Sequence, residues 1–322
     1  MLQFFRTNQL LFSLLLFPYA LLLRYGGVQL LPLPGSPGIW GADVHAWVAA
    51  PTIRYVLGCL LLTFQAVYLN RIVNRNRLAR DPSQFAGLFY VLVSSLFPAF
   101  LDLSGPLLAN TFLIVAFGEL CETYKKNKAA IPLFNAGLWI GVASLFYGSY
   151  LLFLIWAFAG INSLRKPSLQ EWLVALLGTV CVYWLVGTGY YLIDAWPRFF
   201  DQQLYYFGVF DVQSQGGWAD WMMGGIFGVL ILYVLTQAGN LLLRKTIDVR
   251  KKLNLLYVGL LFSPLVLVLQ ADVNLEALLI AAVPLGTLLS LRLLTLRPAV
   301  AEALHLLAVA AILLYQFRGI FG

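Results

Sequence analysis

Charge is what this 322-residue chain has least of. Asp, Glu, Lys and Arg make up only 11% of it, where soluble globular chains carry roughly a quarter. That is too little polar surface to cover a water-soluble fold. Histidine is scarce as well: His45 and His305 are the two in the chain, too few for a multi-histidine metal centre. The three cysteines, Cys59, Cys121 and Cys181, form no CxxC pair, which removes a disulfide framework and a zinc site. No Walker loop, no Gly-x-Ser-x-Gly and no HExxH occurs in the sequence, so the motif-borne hydrolase and nucleotide chemistries have no foothold.

What is present is apolar. Hydrophobic residues form 61% of the chain and the mean hydropathy is +0.83, so lipid is the expected solvent. The first run, Leu10 to Leu23, follows a short head carrying Arg6, and no small-residue cleavage pattern follows it. A retained helix is expected there, not a signal peptide. Further runs cover Val56 to Leu69, Phe85 to Phe100 and Leu107 to Leu120. The uncharged stretch 129–164 divides at Tyr147-Gly148-Ser149-Tyr150, and Leu173 to Leu192, Met222 to Leu243, Leu255 to Leu269, Ala277 to Leu294 and Val300 to Phe317 follow. The expected fold class is all-α, a polytopic transmembrane bundle of about 11 helices. Three regions are expected: an N-terminal membrane core over 1–192 (helices one to seven), an outer aromatic interfacial loop over 193–221, and C-terminal helices eight to eleven over 222–322.

The basic residues give the chain a direction. With the N-terminus in the cytoplasm, every Lys and Arg except Arg24, Arg54, Arg198 and Arg318 falls on an inner segment, as the positive-inside rule requires. The C-terminus is then outside, and the location is the bacterial inner (plasma) membrane. The basic run from Arg71 to Arg80 is read as a stop on the cytoplasmic side, so no nucleic-acid partner is expected. Carboxylates lean the other way, with Asp43, Asp102, Asp194, Asp201, Asp211, Asp220, Asp272 and Glu276 outside. Since carboxylates barely influence insertion, this excess is the first hint of chemistry.

Asp43 lies between Trp40 and Trp47 with His45 two residues on. It reads either as an N-cap or as a carboxylate raised above the membrane as a base or metal ligand. Asp102, in Asp-Leu-Ser-Gly-Pro between two apolar runs, reads either as part of a helix start or as an ionisable group facing a cavity. Asp272 and Glu276 stand four apart and share a helical face if a helix extends that far, with solvated loop residues as the alternative. The segment from Asp194 to Asp220 interleaves Trp196, Phe199, Phe200, Tyr205, Tyr206, Phe207, Phe210 and Trp218 with Arg198 and its aspartates, which suits the interface plane. Glu302 and His305, one turn apart, are expected at the inner interface.

Asp43, Asp102, Pro106-Leu107-Leu108-Ala109-Asn110 and the paired hairpin Leu133 to Ile161 give a layout that resembles the membrane core of C-type glycosyltransferases. Those enzymes use polyprenyl-phosphate-linked sugars, and the resemblance covers about Met1 to Leu192. The whole chain also resembles an uncharacterised polytopic inner-membrane protein family of Bacteroidota, through Leu107-Leu108-Ala109-Asn110 and Ala143-Ser144-Leu145-Phe146-Tyr147.

The first resemblance implies Asp43 and Asp102 as catalytic carboxylates or ligands of a divalent cation, Mg or Mn. His45, Arg54, Arg198, Asp272 and Glu276 would then be substrate-binding, with membrane lipid and a polyprenyl-phosphate-linked sugar as partners. A non-enzymatic membrane subunit that docks other envelope proteins is the second expectation. A transporter, which needs broken helices and polar sites at the midplane, is the third.

Overall fold

A computed structural model describes residues 2–7, 9–26, 38–126, 128–166, 168–204, 218–243, 245–268 and 275–317. Among them there is no strand. The α-helices run in the order α1 Leu2–Phe5, α2 Leu10–Leu14, α3 Leu16–Leu23, α4 Val44–Trp47, α5 Pro51–Arg75, α6 Phe85–Val93, α7 Gly105–Glu122 and α8 Ala130–Phe146. They continue as α9 Phe153–Leu164, α10 Leu169–Leu192, α11 Trp196–Phe199, α12 Trp218–Thr236, α13 Ala238–Leu243, α14 Ile247–Val268, α15 Ala282–Leu293 and α16 Pro298–Gln316. Among the described residues six helices are long and apolar enough to cross a membrane: Pro51–Arg75, Gly105–Glu122, Leu169–Leu192, Gly224–Leu243, Glu276–Leu293 and Pro298–Gln316. Three shorter apolar helices, Phe12–Leu23, Ala130–Phe146 and Gly148–Leu164, accompany them. This is a helical membrane protein.

α5 sets the scale. Pro51 opens it where a missing N–H costs nothing, and its 25 residues give a length of about 37 Å, enough for a hydrocarbon core of about 30 Å. Arg54 in its first turn and Arg75 at its end therefore mark opposite ends of the bundle. Beyond Arg75 the helix closes with Leu78 N–H bonded to the Val73 carbonyl and Arg77 in the left-handed region at φ 51°. Glycine is the usual occupant of such a position, and an arginine there costs about 1–2 kcal/mol.

The centre of the bundle is the pair α6 and α15. Every residue of α6 is buried, as is every residue of α15 except Arg292. Gly286 allows the close approach, because a Cβ there would sit 2.8 Å from Tyr90 Cα. Phe85 to Phe100 was expected as one crossing, but the helix stops at Val93 after nine residues, about 14 Å. Pro98, which brings no N–H, then opens a 3-10 turn, Pro98–Phe100, and α7 starts at Gly105. The division of 129–164 falls where expected: a 3-10 segment, Gly148–Leu152, separates α8 from α9.

Polar side chains tie the core helices together. Gln65 on α5 donates to the Leu107 carbonyl on α7 and accepts from Tyr90 on α6. Asn110 on α7 donates to the Leu279 carbonyl and accepts from Tyr150. Such bonds act as glue where apolar packing gives no preference over lipid. α8 and α10 meet through small residues: a Cβ on Gly178 would lie 2.2 Å from the Phe134 carbonyl oxygen, and one on Gly137 1.8 Å from that of Ala175.

Candidate functional site

Two clusters form at the end of the bundle where α5 and α7 begin. The first is built on the broken stretch after α6. Backbone outside a helix needs partners when lipid surrounds the protein, and Arg24, which follows α3 directly, supplies them. Its Nη2 donates to the Phe100 carbonyl at 2.6 Å and to the Asp102 carbonyl at 3.2 Å. Arg24 is fully buried, and its Nε and Nη1 have no hydrogen-bond partner. Arg54 on α5 brings its Nε to 3.3 Å from Asp102 Oδ1, with both side chains buried. Asp102 Oδ1 also accepts from the Leu103 N–H. Two buried guanidiniums thus face one aspartate.

The second cluster is held on the ends of α8, α10 and α11. Gly38, at φ 143°, lies so close to the Phe146 carbonyl that a Cβ would sit 2.8 Å from it, so the chain needs glycine there. Trp40 N–H then bonds the Leu145 carbonyl, and the Trp40 ring meets Phe146 edge-on at 5.3 Å. Buried Gln203 accepts from Ile39 N–H and donates to the Ser144 carbonyl and to Tyr183 Oη. This anchoring brings Asp43 to Arg198: Nη2 to Oδ2 is 2.6 Å, with Arg198 Nε on Gln202. The pair is 42% and 34% exposed, so it contributes at most about 1 kcal/mol. In the buried Arg54–Asp102 pair, loss of one partner costs about 3–5 kcal/mol.

Only Arg24, Arg54, Arg198 and Arg318 are expected on the side of these carboxylates. The structure pairs each candidate carboxylate with a candidate substrate-binding arginine. Asp43 directly precedes α4, but its side chain makes no capping bond. His45 lies on α4 with its side chain outside the described residues. Glu276, expected as a solvated loop residue, is buried at the start of the 3-10 segment Leu275–Ala281. Asp272, Arg318 and the aromatic stretch 205–217 lie outside the described residues. Glu302 and His305 were expected at the interface, but His305 is fully buried, 2.9 Å from Tyr19 Oη and ringed by Tyr19 and Phe89. Arg24 escaped the sequence reading, although a single basic residue closing an apolar run was its signal.

A family described as "Family of unknown function (DUF6427)" matches residues 48–321. The chain belongs to that family. The DUF6427 match takes in Arg54, Asp102 and Arg198 and begins beyond Asp43. No curated protein and no solved structure matches the chain.

Proposed function

We propose that this DUF6427 protein is a multi-pass protein of the bacterial inner membrane, of a Bacteroidota type. Its basic end and N-terminus lie in the cytoplasm and its C-terminus outside, after about 11 crossings. In this reading it works at the outer face as a glycosyltransferase on a lipid-phosphate-linked sugar, in the manner of the enzymes its layout resembles.

One observation carries the reading: Arg24 and Arg54, both buried, converge on Asp102, and Arg24 keeps two N–H-bearing nitrogens unpartnered. Buried guanidinium donors without partners are costly, and a phosphate oxygen is the acceptor they match best. Asp43 then takes the proton of an acceptor hydroxyl, whose oxygen bonds to the sugar carbon as the sugar–phosphate bond breaks. The departing lipid phosphate keeps the electron pair beside Arg24 and Arg54, where preorganised positive charge stabilises it. A divalent cation, Mg or Mn, stays in the reading as a partner of the donor phosphate at Asp43 and Asp102, where it would share each carboxylate with the arginine now paired to it.

A non-enzymatic subunit of a cell-envelope complex is the second reading. It is favoured by the same ion pairs, because an aspartate satisfied by an arginine is what a structural staple needs. Profiling lipid-linked glycans in cells lacking the protein and complemented with variants separates the two. For transfer, Asp43→Asn abolishes the product at normal membrane abundance, since the partly exposed pair contributes little to folding. Full restoration of the product by Asp43→Asn overturns the enzymatic assignment.

A further inference from the structure

A large cavity lies at the other end of the molecule, about 30 Å along α5 from Arg54. It measures about 1360 Å³ and is lined by Arg6, Arg77, Arg80, Lys245 and Arg292. These five come from four separate parts of the chain: the turn after α1, the loop after α5, the link between α13 and α14, and the end of α15. Asp81 and Asp248 also face the cavity, so its wall is cationic on balance. Asp248 is already held by Lys252 at 3.1 Å.

Positive residues gather at the cytoplasmic end of most membrane proteins, and that alone makes no site. Such side chains ordinarily reach outward to water and headgroups. Here they converge, and part of their donor capacity is unfilled, although Arg292 Nη1 donates to Thr295 Oγ1 and Arg6 lies over the Phe85 ring. Among the described residues none of the five is ion-paired. Arg6 Nη2 and Arg292 Nε are buried without a hydrogen-bond partner. Lys245 spends one N–H on the Leu78 carbonyl, and burial followed by the nearby Arg80 lowers its pKa below the ordinary lysine value. Arg77 holds its left-handed backbone at a position suited to glycine, and strain of that kind collects at binding sites. The volume exceeds that of most small-ligand pockets, so a phosphate ester or diphosphate fits with its organic portion.

We propose that this cavity is an anion site for a phosphate-bearing ligand, which arrives either as a soluble phosphate ester or diphosphate or as the headgroup of an anionic membrane lipid. The two sources share one chemistry: oxygens that accept from the arginine forks in a field created by uncompensated cations. The site is independent of the sugar-transfer reading at the opposite end.

The full chain in nanodiscs tests it. In phosphatidylcholine discs, titration with inorganic pyrophosphate reads the soluble source. Retention of phosphatidylglycerol against phosphatidylcholine by native mass spectrometry reads the lipid source. Arg80→Gln, which is exposed and safe for folding, and Arg292→Gln each weaken whichever ligand binds by roughly ten-fold or more. Arg71→Gln and Arg250→Gln, exposed arginines outside the cavity lining, change binding less than two-fold, on the order of experimental scatter for solvated charges. Binding of pyrophosphate, of phosphatidylglycerol or of both, lost in the cavity variants alone, supports the site and names its source. Binding of neither, or equal loss in the Arg71 and Arg250 variants, overturns it, because the charge is then a general feature of that face. If Arg292→Gln fails to fold, Arg80→Gln against Arg71→Gln decides by itself.

Discussion

Arg24 satisfies the Phe100 and Asp102 carbonyls through one nitrogen while two others stay unpartnered. A lysine keeps the charge but lacks the planar fork, so the two residues are not interchangeable here. Arg24→Lys should lower stability by about 1–3 kcal/mol, seen as a lower melting temperature in detergent without a change in the basic-end cavity. Equal stability of the two proteins would mean that charge alone matters. The carboxylates at this end were legible in the sequence as a surplus that insertion does not explain. Their partners were not. Arg198 lies 155 positions from Asp43, and the pairing depends on how Gly38 and Gln203 seat the intervening loop. His305 shows the same gap: its spacing from Glu302 places both on one helix face, but burial was decided by Tyr19, 286 positions away.

At the scale of the element, long apolar runs located most helices well. α5 outran its expected bounds of Val56 to Leu69 because Pro51 starts it and Arg54, Arg71 and Arg75 are carried within it, Arg54 paired to Asp102. The break after α6 was hidden, since Phe85 to Phe100 is uncharged throughout. Ser94, Ser95 and Pro98 were its only marks, and hydropathy does not weigh them. Glycine contacts give a test of the packing. Gly178→Ala pushes a methyl group against the Phe134 carbonyl on α8, so the helices must part, at a cost of about 1–3 kcal/mol. Gly228→Ala on α12 meets nothing within 4 Å and should be neutral or slightly stabilising, since alanine favours a helix by about 1 kcal/mol. Melting both variants in the same detergent checks the contrast. A silent Gly178→Ala would contradict the tight α8–α10 seam.

Over the whole molecule, the distribution of basic residues divided the chain into two ends before any contact was known. Arg24, Arg54 and Arg198 meet the carboxylate-rich end, while Arg77, Arg80, Lys245 and Arg292 share the opposite one. The convergence of those four on one cavity was not legible, because a linear count of charge does not distinguish a solvated rim from a concave wall. The proposed orientation has a direct check. Reporter fusions after Arg80 and after Asp211 should report the cytoplasmic and the outer side respectively, and matching sides would refute the arrangement.

The position of α15 bears on how the protein is made. The apolar segment Glu276–Leu293 is 89% buried against 18% to 61% for the other five spanning helices, and it lies against α6. Yet α6 leaves the ribosome roughly 10–40 s before its partner at ordinary elongation speeds. During that interval a nine-residue helix, too short to span the bilayer by itself, has neither α15 nor a complete set of neighbours. The molecule's centre therefore closes only late in synthesis, when α15 arrives with α16 alone still to follow. A nascent chain halted before residue 276 carries an unfilled core, with α6 lacking the helix that covers it.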